Sequence, residues 1–236
     1  MRTLVFTCDD YLFLLPPFAY LWNKYFGQDS EVLVAGYCRP DFTLPPNFQF
    51  RSIEATAYPA ERWSNGVLKI LQQLDDELFI MLLEDYWLNA PVAGKTIEVV
   101  ERYLTAHPEV LRCDLTSDRL QSGQARDVET FDGVDFVETP HSCPYQMSLQ
   151  AAVVRRTLLQ QVLPPDISPW SLELYGNKWL RPELRVLGTK QAPMRYINAK
   201  GTGLAQTQVR LKGLQPDDQE FIARQGWIPS SYEIVR

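Results

Sequence analysis

Six uninterrupted apolar residues, Leu78-Phe79-Ile80-Met81-Leu82-Leu83, run directly into two adjacent carboxylates, Glu84 and Asp85, and then into Tyr86-Trp87-Leu88. An apolar run this short, bounded by charge, fits a strand buried on both faces of a mainly parallel sheet. Ligands of open α/β sheets gather at the carboxyl ends of such strands. Glu84 and Asp85 therefore stand either where a divalent cation or a charged substrate is held, or at a strand end that is simply a polar turn. This stretch alone leaves both readings open.

The flanking sequence supplies the rest of an α/β domain. Residues 2–7, 31–37 and 48–53 are rich in β-formers, and residues 18–26 read as a helix stopped by Gly27, with Pro16 and Pro17 at or before its first turn. Strand, helix, strand at this spacing is a βαβ unit and implies parallel pairing. Apolar residues at helical spacing over 67–74 predict a helix capped by Ser64 or Asn65. A further helix is expected over 96–105, with Ile97, Val100 and Leu104 on one face, followed by a strand over 110–115. Residues 116–138 are polar and weakly patterned, which suggests an insertion or loop over the site with a short strand at 134–137. Residues 145–151 read as a strand feeding a helix over 153–162. Late strands are expected at 185–187 and 194–198, a turn at Lys200-Gly201-Thr202-Gly203, and a short helix over 217–225. With no repeat and no linker, the expectation is one domain with an irregular C-terminal third.

A formal net charge of −6 argues against broad electrostatic binding to duplex nucleic acid, which needs a basic surface. The N-terminal apolar segment is broken at once by Cys8-Asp9-Asp10, unlike a signal peptide, and no stretch approaches a membrane span, so a cytoplasmic location is expected. Cys8, Cys38, Cys113 and Cys143 are far apart with no CxxC pair, which suggests reduced thiols rather than a zinc site. Six Trp and eleven Tyr are enough to line a sugar or base pocket, though aromatics are also ordinary core material.

Several other side chains are candidates for chemistry. Asp9 and Asp10, after the first strand, either accept hydrogen bonds from a nucleoside or cap the following helix. Glu173, between Trp170 and Tyr175 on a proline-rich segment, is a candidate general base if the aromatics desolvate it, or else a solvent-facing Glu paired with Lys178. His141 is either a metal or phosphate contact or a structural histidine. Arg155, Arg156, Lys200 and Lys212 are candidate phosphate contacts or solvated surface charges. The P-loop, nucleophile-elbow and dinucleotide fingerprints are absent.

Five segments fall in one order: Trp63-Ser64, Leu82-Leu83-Glu84-Asp85-Tyr86-Trp87-Leu88, Tyr145-Gln146-Met147-Ser148-Leu149-Gln150, Ser168-Pro169-Trp170-Ser171-Leu172-Glu173 and Tyr196-Ile197-Asn198-Ala199-Lys200-Gly201. Together they resemble a group of bacterial and phage glycosyltransferases of the GT-A fold, over roughly residues 2–203. The resemblance implies a single GT-A-like (Rossmann-like) domain, a mainly parallel sheet flanked by helices. Residues 1–115 would form its nucleotide-binding half, 116–203 its acceptor and catalytic half, and 204–236 a C-terminal extension. Carried over by position, Asp85 matches the second acid of a metal-binding pair, and Glu84 stands where the group usually has Asp. A Mn²⁺ or Mg²⁺ ion is implied there. Glu173 matches the catalytic base of an inverting transfer. Trp63, Tyr86, Trp87 and Trp170 would shape the sugar or acceptor pocket, Asp9 and Asp10 the nucleoside contact, and His141 and Lys200 phosphate or metal contacts. The implied partners are a nucleotide-diphosphate sugar and a saccharide or other hydroxyl acceptor.

Three rivals compete with that expectation. A nucleotidyltransferase would also pair acids with a metal, but it would want a basic or glycine-rich loop where Cys8-Asp9-Asp10 stands. A non-catalytic carbohydrate- or protein-binding module would use the aromatics without needing Glu84-Asp85. A transferase acting on modified bases of phage DNA would keep the chemistry and change the acceptor.

Overall fold

In a computed structural model, residues 1–201 and 203–236 are described. Thr202, in the middle of the expected turn, lies outside the described residues. The first half is β1 (Arg2–Phe6), α1 (Leu15–Tyr25), β2 (Val32–Gly36), β3 (Phe48–Ser52), α2 (Trp63–Leu71), β4 (Leu78–Leu83), β5 (Tyr86–Leu88), α3 (Gly94–Ala106) and β6 (Val110–Asp114). The second half is α4 (Asp118–Gln121), β7 (Arg126–Phe131), β8 (Val134–Glu138), β9 (Ala152–Arg155), α5 (Arg156–Val162), α6 (Pro169–Tyr175), β10 (Arg185–Thr189), β11 (Tyr196–Asn198), β12 (Gln208–Arg210), α7 (Pro216–Arg224) and β13 (Glu233–Val235).

Among the described residues nine strands form one sheet in the order β3-β2-β1-β4-β9-β6-β10-β8-β7. The ladder registers make β8 and β9 run opposite to the other seven. The chain is thus α/β, with a large mostly parallel mixed sheet flanked by helices. Alternation along the strands supplies both faces: Val5, Ile80 and Leu82 pack with α1 and α3, while Leu4, Phe6, Phe79 and Met81 pack with α2, α5 and α6. The 78–83 run is strand β4, with Phe79–Leu82 buried, as its unbroken hydrophobicity demands. From β1 the chain winds outward through β2 to β3, then returns to β4 on the other side of β1. That reversal makes the carboxyl ends of β1 and β4 a topological switch point, the position where open α/β sheets form their ligand crevice.

The structure departs from expectation in four places. Residues 145–151 are a loop, and the strand is β9 instead. Tyr145 has φ 61, and Arg112 donates to the carbonyls of Ser148 and Gln150, so those groups are engaged by a guanidinium rather than a ladder. Helix α2 starts at Trp63, so Ser64 and Asn65 do not cap it. Their side chains accept from the Ile167 and Asp166 amides and tie α2 to the 164–168 loop. Residues 116–138 contain α4 and the β7–β8 hairpin rather than an unpatterned loop. The basic pair Arg155-Arg156 lies at the wrong edge for phosphate: Arg155 pairs in register with Leu78 at the start of β4, roughly 20 Å of strand from Glu84. Arg155 is buried there on the carbonyls of Leu104 and Val110.

All four cysteines are free. No helix of the described residues is long and apolar enough to cross a membrane.

Candidate active site

Register fixes what meets at the crevice. Phe6 of β1 stands beside Leu83 of β4, so Cys8-Asp9-Asp10 and Glu84-Asp85 leave the sheet at the same edge. Past Asp85 the chain turns into β5, which pairs antiparallel with β11, and the Ala199 amide donates to the Asp85 carbonyl at 2.7 Å. That pairing brings Lys200 to Asp85. Glu173, far away in sequence, arrives on α6, close enough for its charge to act on Asp85.

Asp85 is the most exceptional group in this arrangement. Its Oδ1 is buried and has no hydrogen-bond partner among the described residues. A buried carboxylate oxygen left unpaired is costly unless something outside the chain meets it. Burial pushes the Asp85 carboxyl up to about 6, the backbone amides of Asp85 and Lys200 hold it down, and the Glu173 charge adds to the rise. Glu84 is 5% exposed, and burial followed by the neighbouring Asp85 charge drives it well above the usual carboxylate range. Its charge also reaches Cys8, whose thiol burial pushes up to about 12.

A pH dependence follows. A carboxyl raised from about 4 to about 6 favours the folded state while protonated, and that contribution drains away as pH rises through about 6. In metal-free protein, denaturant titrations between pH 4 and 7 should show stability falling with pH at this step. Asp85→Asn should flatten that part of the profile.

Glu173 has a defined posture. The Leu149 amide donates to its Oε1 at 2.9 Å, which ties α6 to the 145–149 loop. Helix α6 is set by a Ser168 cap, whose hydroxyl accepts from the Ser171 amide, and by Pro169 at its first turn. Its C-terminal end docks closely: a Cβ at Gly176 would sit 2.4 Å from Met147 Cβ. The aromatic enclosure expected around Glu173 is not built, because Trp170 is 63% exposed and Tyr175 is also exposed. Lys178 stacks over Tyr175, at 4.5 Å from Nζ to the ring centroid, instead of pairing with Glu173.

The remaining sequence candidates divide. Lys200 donates to the carbonyls of Gln206 and Gln208, and its ammonium lies over the rings of Tyr11 and Tyr232. Desolvation pulls its pKa down, while Asp85 works the other way. Asp9 accepts from the Cys38 amide at 2.9 Å and so braces the loop after β2; Asp10 is exposed at the same rim. Trp63 packs edge-on against Phe6, with centroids 6.0 Å apart, on the α2 side of this edge. Trp87, fully buried and donating to the Glu84 carbonyl at 3.1 Å, belongs to the core beneath the turn rather than to a pocket wall. His141 lies half-buried on the 139–143 turn. Among the described residues no three His, Cys, Asp or Glu side chains converge as a metal-holding group.

Sequence reasoning missed a polar cluster that completes the site. Tyr86 packs edge-on against Tyr196 at 4.8 Å, and the charges of Asp85, Glu173 and Asp118 all act on its phenol. Tyr196 donates to Asp118, and Thr116 donates to Asp118 at 2.7 Å with its hydroxyl 3.2 Å from Gln150 Oε1. Beneath them Asp114 is clamped between Arg112 and Arg119, accepting two bonds from each. Polar residues in a weakly patterned stretch give no periodic signal, and only the fold shows that α4 faces β11.

No family model matches the chain, and no curated protein matches it. Among solved structures, it is similar to CMP:2-keto-3-deoxy-manno-octonic acid synthetase complexed with CTP (10% identity, TM-score 0.44, covering 84% of this chain and 92% of that one). A mycobacterial protein is similar at 13% identity and TM-score 0.42, over 84% of this chain and 68% of that one. The bifunctional glycosyltransferase WbbM is similar at 9% identity and TM-score 0.36, over 69% of this chain and 34% of that one. Likeness this loose carries nothing about chemistry.

Proposed function

We propose that the chain is a glycosyltransferase that moves a sugar from a nucleotide-diphosphate donor to an acceptor hydroxyl with inversion. The observation that supports this best is the pairing at the β1–β4 crevice of a buried, unpartnered Asp85 oxygen with Glu173, which is held by one oxygen only. The motif resemblance assigns the same two residues to the same reaction.

The donor diphosphate lies over Asp85, Glu84 and Lys200, with the nucleoside towards Asp9 and Asp10. Glu173 takes the proton of the acceptor hydroxyl. That oxygen forms the new bond to the anomeric carbon as the carbon–oxygen bond to the diphosphate breaks, and the diphosphate leaves with the electron pair. Asp85 offers a hard oxygen donor with unmet capacity, which fits Mn²⁺ or Mg²⁺ held by one or two carboxylates and completed by phosphate oxygens and water. When bound, such an ion supplies charge neutralisation to the diphosphate. Lys200 adds a fixed positive charge from the other side, and Trp63 and Trp170 border the sugar and the acceptor.

The test is a thermal-shift screen of nucleoside diphosphates and nucleotide sugars with and without Mn²⁺. A ligand of the native state raises apparent stability by about 2.7 kcal/mol at a hundred times its Kd. At least one nucleotide should raise the melting temperature, and Mn²⁺ should increase its effect. No response to any of them overturns the proposal.

A further inference from the structure

A second concavity lies outside this site, between α1, the 41–45 loop and Trp227, with a volume of about 700 Å³. That size suits a small-molecule site. Its walls are aromatic: Phe13, Tyr20, Phe42 and Trp227 line it. The rings are pre-arranged, since Tyr20 stacks on Phe221 with centroids at 4.3 Å and lies 6.3 Å from Trp227. Helix α7 is fixed to α1 beneath them by Asp218, which is fully buried and accepts from Tyr20, Lys24 and Tyr25.

The charges decide the ligand class. Lys24, the basic residue lining this cleft, is already paired with Asp218. Asp41 and Gln28 stand exposed at the rim. A carboxylate rim repels phosphate and other anions, whereas it accepts readily from neighbouring hydroxyls. Flat apolar rings beneath acceptor and amide groups match a neutral, hydroxyl-bearing ring with one apolar face.

A row of packed side chains joins the wall of the cleft to the candidate active site. Phe13, on its wall, packs against Tyr232 with centroids 4.6 Å apart, and the Tyr232 ring centroid lies 5.1 Å from the ammonium of Lys200, whose charge acts with that of Asp85. We infer that this cleft is a saccharide subsite which holds the distal part of an oligosaccharide acceptor. The inference rests on the glycosyl-transfer reading and adds that the acceptor is a chain of sugars rather than a single small hydroxyl compound.

The test uses the labelled full chain on a printed array of bacterial polysaccharide and oligosaccharide fragments, with thermal shift by nucleotide sugars measured in parallel. Wild type should be retained on a class of neutral glycans. Trp227→Ala and Asp41→Ala should each lose retention about ten-fold or more, with the nucleotide response unchanged. Asp41 is exposed on a loop, so its variant keeps the test valid if Trp227→Ala does not fold. Retention of no glycan, or equal retention by the folded variants, overturns the subsite. Absence of any nucleotide response alongside variant-sensitive glycan retention overturns the transferase reading and leaves a glycan-binding cleft.

Discussion

Glu173→Gln should lower the rate of sugar transfer by about 10²–10⁴, the usual contribution of a positioned general base. The substitution is informative because of what it preserves. The amide oxygen of Gln can still accept from the Leu149 N–H, so α6 and the 145–149 loop stay joined. Donor affinity should therefore stay within a few-fold, and melting temperature should hardly move. A variant that turns over normally contradicts the base assignment. One that loses donor binding together with rate shows instead that Glu173 shapes the pocket.

Asp114→Ala should give the largest loss of stability. Asp114 is 1% exposed and accepts four bonds from Arg112 and Arg119 at 2.6–3.0 Å. Removing it leaves two guanidinium groups buried without their common counter-charge. Breaking a buried pair in this way costs about 3–5 kcal/mol, which for a chain of this size lowers the melting temperature by roughly 10 °C. Arg112 also holds the carbonyls of Ser148 and Gln150, so the loop that positions Glu173 should loosen as well. Denaturant unfolding of the variant checks the magnitude. A loss below about 1 kcal/mol would mean that the two arginines find other partners.

What could be read from the sequence divides along physical lines. Strand β4 was visible because burial on both faces demands an unbroken apolar run, and the turn after it had to be polar. The βαβ start and helix α3 were visible because each has its own period. The 145–151 segment misled because its apolar residues look like a strand, while the decisive partner, Arg112, lies on a distant strand. Helix α2 starts earlier than its cap-like residues suggest because Ser64 and Asn65 bond to the 164–168 loop instead. Asp118 carries no local signal, and although Gln150 and Tyr196 fall within motif segments, nothing in those segments shows that Thr116 and Asp118 join them in one cluster. The motif resemblance puts Trp87 in a pocket wall, yet the β5–β11 pairing buries it.

In the proposed reaction Asp85 is the phosphate end of a nucleotide-sugar site. The most direct measurement is calorimetric titration of the nucleoside diphosphate found by thermal shift, with and without Mn²⁺, into wild type and Asp85→Asn. Asn keeps the shape and loses the charge. Wild type should bind with enhancement by Mn²⁺, and Asp85→Asn should bind at least ten-fold more weakly and without response to Mn²⁺. Equal affinity and equal Mn²⁺ dependence in the two proteins would contradict it.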